Sequence, residues 1–411
     1  MRARLPLVFV LITVMIDAMG IGIIIPVMPM LIMEIEGGTL SNAALWGGLM
    51  ASSFAVMQFL FGPLIGNLSD RFGRRPVLLI SLAVMAADYL VMALAGSMWL
   101  LLLGRIVGGI AGATHATAAA FIADTSTPEK RGAGFGLVSA AFGLGFVMGP
   151  VIGGLLGDLG PRAPFWAAAA LATANLILGL IVLPESLTPE TRRAFSIKRA
   201  NPFGALTQIR AHPALPRLLT VLLLAQLAFN VYPAIWAYYT QASFGWDPAM
   251  VGVSLAAFGI CMAVVQGGLI GRIIAKIGER HTVRLGLVFA VTAFLVLGLV
   301  TNGWLALAFV PVAAIAAMTV PALHAIMSRD TAANAQGELQ GLFSSTNALA
   351  MILSPLVMTW VFALATRPGG PVFLPGAPFL AALALCLVAL LLFQARPTPA
   401  RTYDTAGRFP P

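Results

Sequence analysis

Three ionisable side chains interrupt long apolar runs of this chain: Asp17, Asp88 and Arg105. A charge at the middle of a hydrocarbon layer costs roughly 2.5–3.5 kcal/mol or more, so a residue held there is expected to be functional, with a partner to be named. Burial disfavours the ionised form of a carboxyl group and a neighbouring cation favours it. A carboxyl balanced between those influences can take up a proton on one side of a membrane and release it on the other, or recognise a cation. Asp17 suits either task; the plainer alternative is a structural hydrogen bond to a neighbouring helix. Arg105 stays charged in any surroundings and needs a carboxylate or a ring of backbone acceptors. Asp88, midway along the third apolar run, is a further candidate for proton chemistry.

A second group is polar but uncharged. Gln58, Gln226, Asn230, Tyr232, Trp236, Tyr238 and Gln266, with Met57 and Met262, suit a roomy, adaptable pocket for an amphipathic small molecule. Each serves equally well to join helices. His115 and His324 add titratable rings, and helical geometry puts His115 within about 80° of Arg105. Two cysteines and four scattered histidines spell out no metal cluster. With no nucleophile–base constellation or phosphate loop either, neither an enzyme nor a cofactor is expected. Cys261 and Cys386, both in apolar runs, read as small buried hydrophobes.

The elements that carry these residues follow from composition. Hydrophobic residues make up 59% of the 411 and charged ones 9%, against about 25% charged in soluble domains. The apolar residues fall in runs long enough to cross a hydrocarbon core of roughly 30 Å as helices. The alternating pattern of a membrane β-barrel is absent. The runs predict an all-α integral membrane protein with helices over 5–33, 44–66, 77–97, 99–121, 133–156, 163–183, 216–241, 250–273, 282–301, 303–326, 337–364 and 373–395. The first run is too long for a signal peptide, contains Asp17 and lacks a clear cleavage site, so it is read as a retained helix.

The net charge of +9 reflects placement. With both ends cytoplasmic, Arg162 and Arg367 are the only basic residues in outside loops, which also carry Glu34, Glu36, Asp158 and Asp247. That is the positive-inside distribution. The basic side is expected to meet anionic lipid, and no nucleic-acid partner is expected.

The chain also repeats. Gly66, Arg71, Gly73 and Arg75 recur as Gly271, Lys276, Gly278 and Arg280, a shift of 205 residues. The same shift pairs Gly132 with Gly337, Gly136 with Gly341, Ser139 with Ser344 and Pro150 with Pro355. Two parallel repeats are an architecture of secondary transporters. The expected organisation is a six-helix bundle over 1–184, a cytoplasmic linker over 185–215 with a short amphipathic helix near Pro202–Ala211, a second bundle over 216–396, and a cytoplasmic tail over 397–411.

Several motifs resemble a known family. Gly66, Asp70, Arg71, Gly73, Arg74 and Arg75 look like the signature loop of the major facilitator superfamily. Gly104-Arg105 with Gly108-Gly109 resembles its intramembrane arginine motif. Gly145, Gly149, Pro150, Gly153 and Gly154 resemble the motif of its antiporters. Asp17-Ala-Met-Gly, Ala87-Asp88-Tyr89, Ile122-Ala-Asp124-Thr125 and Phe244-Gly-Trp246 are similar to the tetracycline/proton antiporters within that family.

The resemblance implies twelve helices in two pseudo-symmetric bundles, in a bacterial inner membrane, working as a monomer that exchanges protons for an exported hydrophobic or amphipathic molecule. A proton-coupled importer or exporter of a metabolite is the alternative, and a membrane enzyme or sensor a remote one. It implies further that Arg105 faces the proton-binding region near the first helix and that Asp88 lies on a helix set more to the side. Asp70 would meet the start of the eleventh helix when the cytoplasmic side is closed, with Arg131 as an extra partner. Small residues let helices approach closely and Pro150 interrupts regular bonding, so the glycines from 143 to 154 are expected to form a rigid, kinked interface between halves. The sequence departs from the tetracycline exporters where Met262 and Ala290 stand in place of a histidine and an aspartate. That leaves the second half without an acidic residue inside a helix, and makes His115 or His324 a substitute titratable group.

Overall fold

The computed structural model describes residues 5–112, 114–125, 127–188, 190–196, 215–332 and 335–395. No strand occurs among them. Among the described residues eleven helices are long and apolar enough to cross a membrane, and the shorter apolar Met98–Ala111 with its continuation makes a twelfth element. In chain order they are α1 (Leu5–Ile24, resumed over Met28–Glu36), α2 (Leu40–Phe72), α3 (Arg74–Leu94), α4 (Met98–Ala111 and Thr114–Thr125), α5 (Pro128–Gly157) and α6 (Ala163–Val182). After the linker come α7 (Leu215–Phe229 and Val231–Phe244), α8 (Pro248–Val264 through Ile270–Ile277), α9 (Glu279–Leu299), α10 (Gly303–Ala308, Val310–Ala316 and Thr319–Arg329), α11 (Gln336–Ala365) and α12 (Ala377–Gln394). The expected amphipathic helix near 202–211 and the tail lie outside the described residues.

The breaks follow from local chemistry. Proline lacks an N–H and clashes with the preceding turn, and Pro26 and Pro29 flank the interruption of α1 that the apolar run did not reveal. The apolar runs also understated α2, which reaches from Leu40 to Phe72. There the polar residues after Gly66 extend the helix beyond the apolar layer. In α8, Val265–Leu269 winds as a single π turn, a feature frequent at functional sites.

The face carrying the start of α1 and the end of α12 is here called basal, and the opposite face distal. All seven tryptophans, Trp46, Trp99, Trp166, Trp236, Trp246, Trp304 and Trp360, lie in the distal half. Trp99 and Trp304 are the most exposed of them, as in an aromatic belt at a membrane interface.

Helices α1–α6 and α7–α12 form two six-helix bundles. In the first, α5 and α6 pack on α1, α4 on α2, and α3 on α6. The approach of α5 to α1 is close enough that a Cβ on Gly145, Gly149 or Gly153 would stand 2.2, 2.6 or 2.1 Å from a backbone carbonyl of α1. These three glycines therefore face α1 within their own bundle, whereas the sequence reading assigned them to the interface between halves. Gly154 and the Pro150 carbonyl meet the other bundle instead, against Pro248 and Gly252 of α8. The second bundle is filled by aromatic rings around Phe379, which lies 4.8 Å from Tyr239 and 5.7 Å from Tyr232.

The bundles touch along two seams, α2 with α11 and α5 with α8. On the first, Ser41 donates to the Thr366 carbonyl at 2.9 Å and Ser52 to that of Ile352 at 2.7 Å, and Gly48 rests against the Pro355 carbonyl. On the second, Gly252 rests against the Pro150 carbonyl and Gly259 against Val147. All of these contacts are distal. Gly66 of α2, Gly136 and Gly143 of α5 and Gly337 of α11 continue the same helix faces to within about 40°. Nothing stands within 4 Å of a Cβ placed on any of them. The bundles are closed at the distal face and parted at the basal one.

Candidate functional site

The buried charges of the first bundle gather on three helices. Asp88 of α3 is 3% exposed, and its Oδ2 receives a hydrogen bond from the Arg105 guanidinium of α4. Gly104 and Gly108 flank Arg105 and keep α4 bare, so the carboxylate lies flush against its backbone. Phe54 of α2 offers its ring face to the guanidinium, 5.4 Å away, a cation–π contact strengthened by exclusion of water. Asp88 is therefore the ion-pair partner of Arg105 and not a residue set aside from the site. The pair is incompletely satisfied: Asp88 Oδ1 and Arg105 Nε are buried with no partner among the described residues.

Asp17 is half-buried on α1 and has no ion-pair partner among the described residues. One turn further on, Gly20 accommodates the hydroxyl of Tyr89, which would stand 2.1 Å from a Cβ there. Tyr89 is buried next to Asp88 in sequence and lies within electrostatic reach of Asp17, Asp88 and Arg105. It was not singled out as a site residue; adjacency to Asp88 was the available signal.

The basal loop between α2 and α3 is a dense charge cluster. Asp70 pairs with Arg74 at 2.6 Å, and Arg74 Nε donates to Asp124 at the end of α4 at 3.0 Å. Gly73 has φ +108°, a region that side chains avoid, and the Glu185 carboxylate fills the space where its Cβ would be. That carboxylate accepts the backbone N–H of Arg74 at 2.8 Å and of Arg75 at 3.3 Å, capping α3. Arg75 returns the favour by donating to the carbonyls of Leu183 at 2.8 Å and Leu180 at 3.0 Å, at the C-terminus of α6. Arg71 lies over its neighbour Phe72. Arg131 is exposed and makes no ion pair among the described residues, so it does not join this cluster. The linker docks here too, Arg193 N–H donating to the Asp70 carbonyl at 3.1 Å. Glu185 and Asp124 were missed as members because their partners are remote in sequence.

The residues read as a pocket separate into three groups. Trp236, donating to Ser254 Oγ at 2.8 Å, is buried in the aromatic core of the second bundle, and Gln226 is buried on α7; Asn230 donates to the Gln226 carbonyl at 2.8 Å across the break in α7. Trp236 and Tyr232 line a small apolar recess with Leu255, Phe258 and Val310. Gln58 donates to the Gly112 carbonyl at 2.9 Å, satisfying the break in α4. Gln266 in the π turn is exposed on the face of α8 that forms the seam higher up, with Met262 Sδ 3.9 Å from its amide nitrogen. His324 stacks on Phe343 at 3.9 Å, and its Nε2 is buried without a partner among the described residues. His115 lies in the second segment of α4, and its side chain falls outside the described residues. Ala290 is fully packed inside α9.

A family model described as the Major Facilitator Superfamily matches residues 10–355 and 218–409. The tetracycline resistance protein, class C, of Escherichia coli is 40% identical over 95% of this chain and 97% of its own length. Multidrug resistance protein 2 of Bacillus subtilis is 30% identical over 82% and 84% respectively. Among solved structures, the human organic anion transporter MFSD10 superposes with a TM-score of 0.69 at 27% identity, over 95% of this chain and 99% of that one.

Proposed function

The chain belongs to the Major Facilitator Superfamily, and from that premise we propose that it is a proton-coupled antiporter exporting a hydrophobic or amphipathic small molecule of tetracycline-like or multidrug type. The observation that carries the reading is Asp17, an intramembrane carboxyl with no ion pair among the described residues, on the helix whose Gly20, one turn on, receives the hydroxyl of Tyr89, the sequence neighbour of the paired Asp88.

In this reading the basic basal face is cytoplasmic, in a bacterial inner membrane, and the parted bundles are the state that loads substrate. The bundles, residues 1–184 and 216–396, rock about the linker as a monomer. A proton reaching Asp17 removes a charge from the first bundle, whereas Asp88 is held by its ion pair with Arg105. Asp70, Arg71, Arg74 and Arg75 hold the basal loop rigid, and Asp70 meets the start of α11 when the basal side shuts. Gln266 and Met262 contact substrate in the open cleft, with Gln58 and His324 behind them. No catalytic step and no cofactor belong to this reading.

Met262 and Ala290 favour a second reading, in which the exported molecule is a metabolite or a drug unlike metal-chelated tetracycline. The experiment is efflux from inverted vesicles containing this chain, over a panel of antibiotics that includes tetracycline. Proton-driven antiport requires that uptake into the vesicles stop when the pH gradient is collapsed; uptake that persists refutes the coupling. A panel in which nothing moves transfers the weight to the metabolite.

A further inference from the structure

The distal seam contains a buried polar atom that its neighbours leave unpaired. Tyr238, in the second segment of α7, is 5% exposed. Its hydroxyl crosses from the second bundle to the backbone of Gly47 on α2, where a Cβ would stand 2.0 Å from the oxygen. The ring lies 6.3 Å from that of Phe362 on α11. The hydroxyl has no hydrogen-bond partner among the described residues, although a buried tyrosine O–H ordinarily finds one. Around it the seam is tightly shut by Ser41 with Thr366, Ser52 with Ile352, and Gly48 against Thr359. Sequence reading put Tyr238 in a pocket; the structure wedges it between the two bundles.

We infer that Tyr238 is the bolt of the distal gate, a positioning residue that fills the notch at Gly47 when the distal side is shut and withdraws into water when it opens. The assignment rests on the alternating-access reading above. The two partners act in opposite senses. Gly47 makes the shut state sterically accessible, because any side chain there meets the phenol oxygen. The hydroxyl disfavours the shut state, because burial strips its water and supplies no replacement partner. A gate made this way closes fully but does not stick. The chemistry also places an aromatic rim with a hydrogen-bonding tip on the exit path, suited to an amphipathic molecule leaving toward the distal face.

The test uses the full chain in lipid nanodiscs, with Cys261→Ala and Cys386→Ala and spin labels on the exposed distal residues Leu159 and Val372, one on each bundle. Pulsed dipolar spectroscopy reads the shut and open populations across pH 5 to 8. Tyr238→Phe should move the open-to-shut ratio about tenfold toward shut, the size of one buried unpaired hydroxyl. Gly47→Ala should move it toward open. If Gly47→Ala does not fold, Gly47→Ala with Tyr238→Ala restores the space and should fold without the shift toward open, while Tyr238→Phe still reads the hydroxyl alone. A side chain that merely packs would lower stability in both single variants and would not shift populations in opposite directions. Exchange in the parent chain with an unmoved ratio in Tyr238→Phe overturns the bolt alone. A single distance in the parent chain at every pH overturns alternating access, and the bolt with it.

Discussion

The carboxylate of Asp88 lies against the bare backbone of α4 between Gly104 and Gly108, where Cβ atoms would stand 2.7 and 2.6 Å from its two oxygens. The glycines are thus part of the ion pair: they let the charge of α3 reach Arg105 with no side chain between the helices. Gly108→Ala should displace the pair and lower stability by about 1–3 kcal/mol, the usual range for overpacking, outweighing the roughly 1 kcal/mol that alanine gains in helix propensity. A thermal melt in detergent checks the sign. Combined with Asp88→Asn, the two effects should be non-additive.

Asp17→Asn keeps the shape and removes the titration. Transport driven by a pH gradient should fall at least tenfold, while equilibrium binding of a transported compound and the melting temperature stay close to those of the parent chain. Active gradient-driven transport by this variant would place coupling elsewhere.

Arg105→Lys tests geometry against charge. Lysine keeps the cation but lacks the planar fork that reaches Asp88 while lying over Phe54. The variant should be less stable than the parent by about 1–3 kcal/mol, since Asp88 would remain buried with an imperfect partner. Its transport should be impaired more than its binding.

Glu185→Ala removes the acceptor for the first N–H groups of α3 and exposes the positive φ of Gly73 to solvent. Loss of a capping side chain costs about 0.5–2 kcal/mol, and Arg75→Ala, which frees the α6 carbonyls, should cost a similar amount. Calorimetry on both and on the double variant reads the coupling. If each change leaves the melting temperature unaltered, the clasp has no mechanical role.

Gln266→Ala and Trp236→Ala separate cleft from core. Gln266 is exposed on α8, so its loss should raise the KM of a transported compound with little change in the melt. Trp236 is buried and bonded to Ser254, and truncating a buried aromatic costs about 3–5 kcal/mol. That variant should express poorly and should not show a selective change in KM.

The twelve spans were legible because apolar runs of span length are hard to read otherwise, and the breaks were not, since a proline such as Pro26 leaves hydropathy unchanged. Asp17 and Arg105 stood out because charge in lipid is costly. That Asp88 is the partner of Arg105 was not legible, because pairing depends on how α3 rolls against α4. The aromatic and amide residues of α7 misled for a related reason. In a membrane helix both faces are apolar, so periodicity does not tell the core side, where Trp236 sits, from a cleft side such as that of Gln266. The glycines at 145, 149 and 153 were recognised by spacing, yet their target helix was set by close approach to α1, which a one-dimensional pattern does not specify.

Pro150 and Pro355 occupy the same place in the 205-residue repeat, and each presents its carbonyl to a glycine of the opposite bundle, Gly252 for the first and Gly48 for the second. Gly252 is the repeat mate of Gly47, one residue from Gly48. The two seams are therefore nearly one contact used twice. A single six-helix ancestor meeting its own copy around a twofold axis would bury this same patch on both partners, which is the definition of an isologous interface. The clamp between the bundles is thus built twice from one pattern, so a change at either proline–glycine contact has a counterpart on the opposite seam.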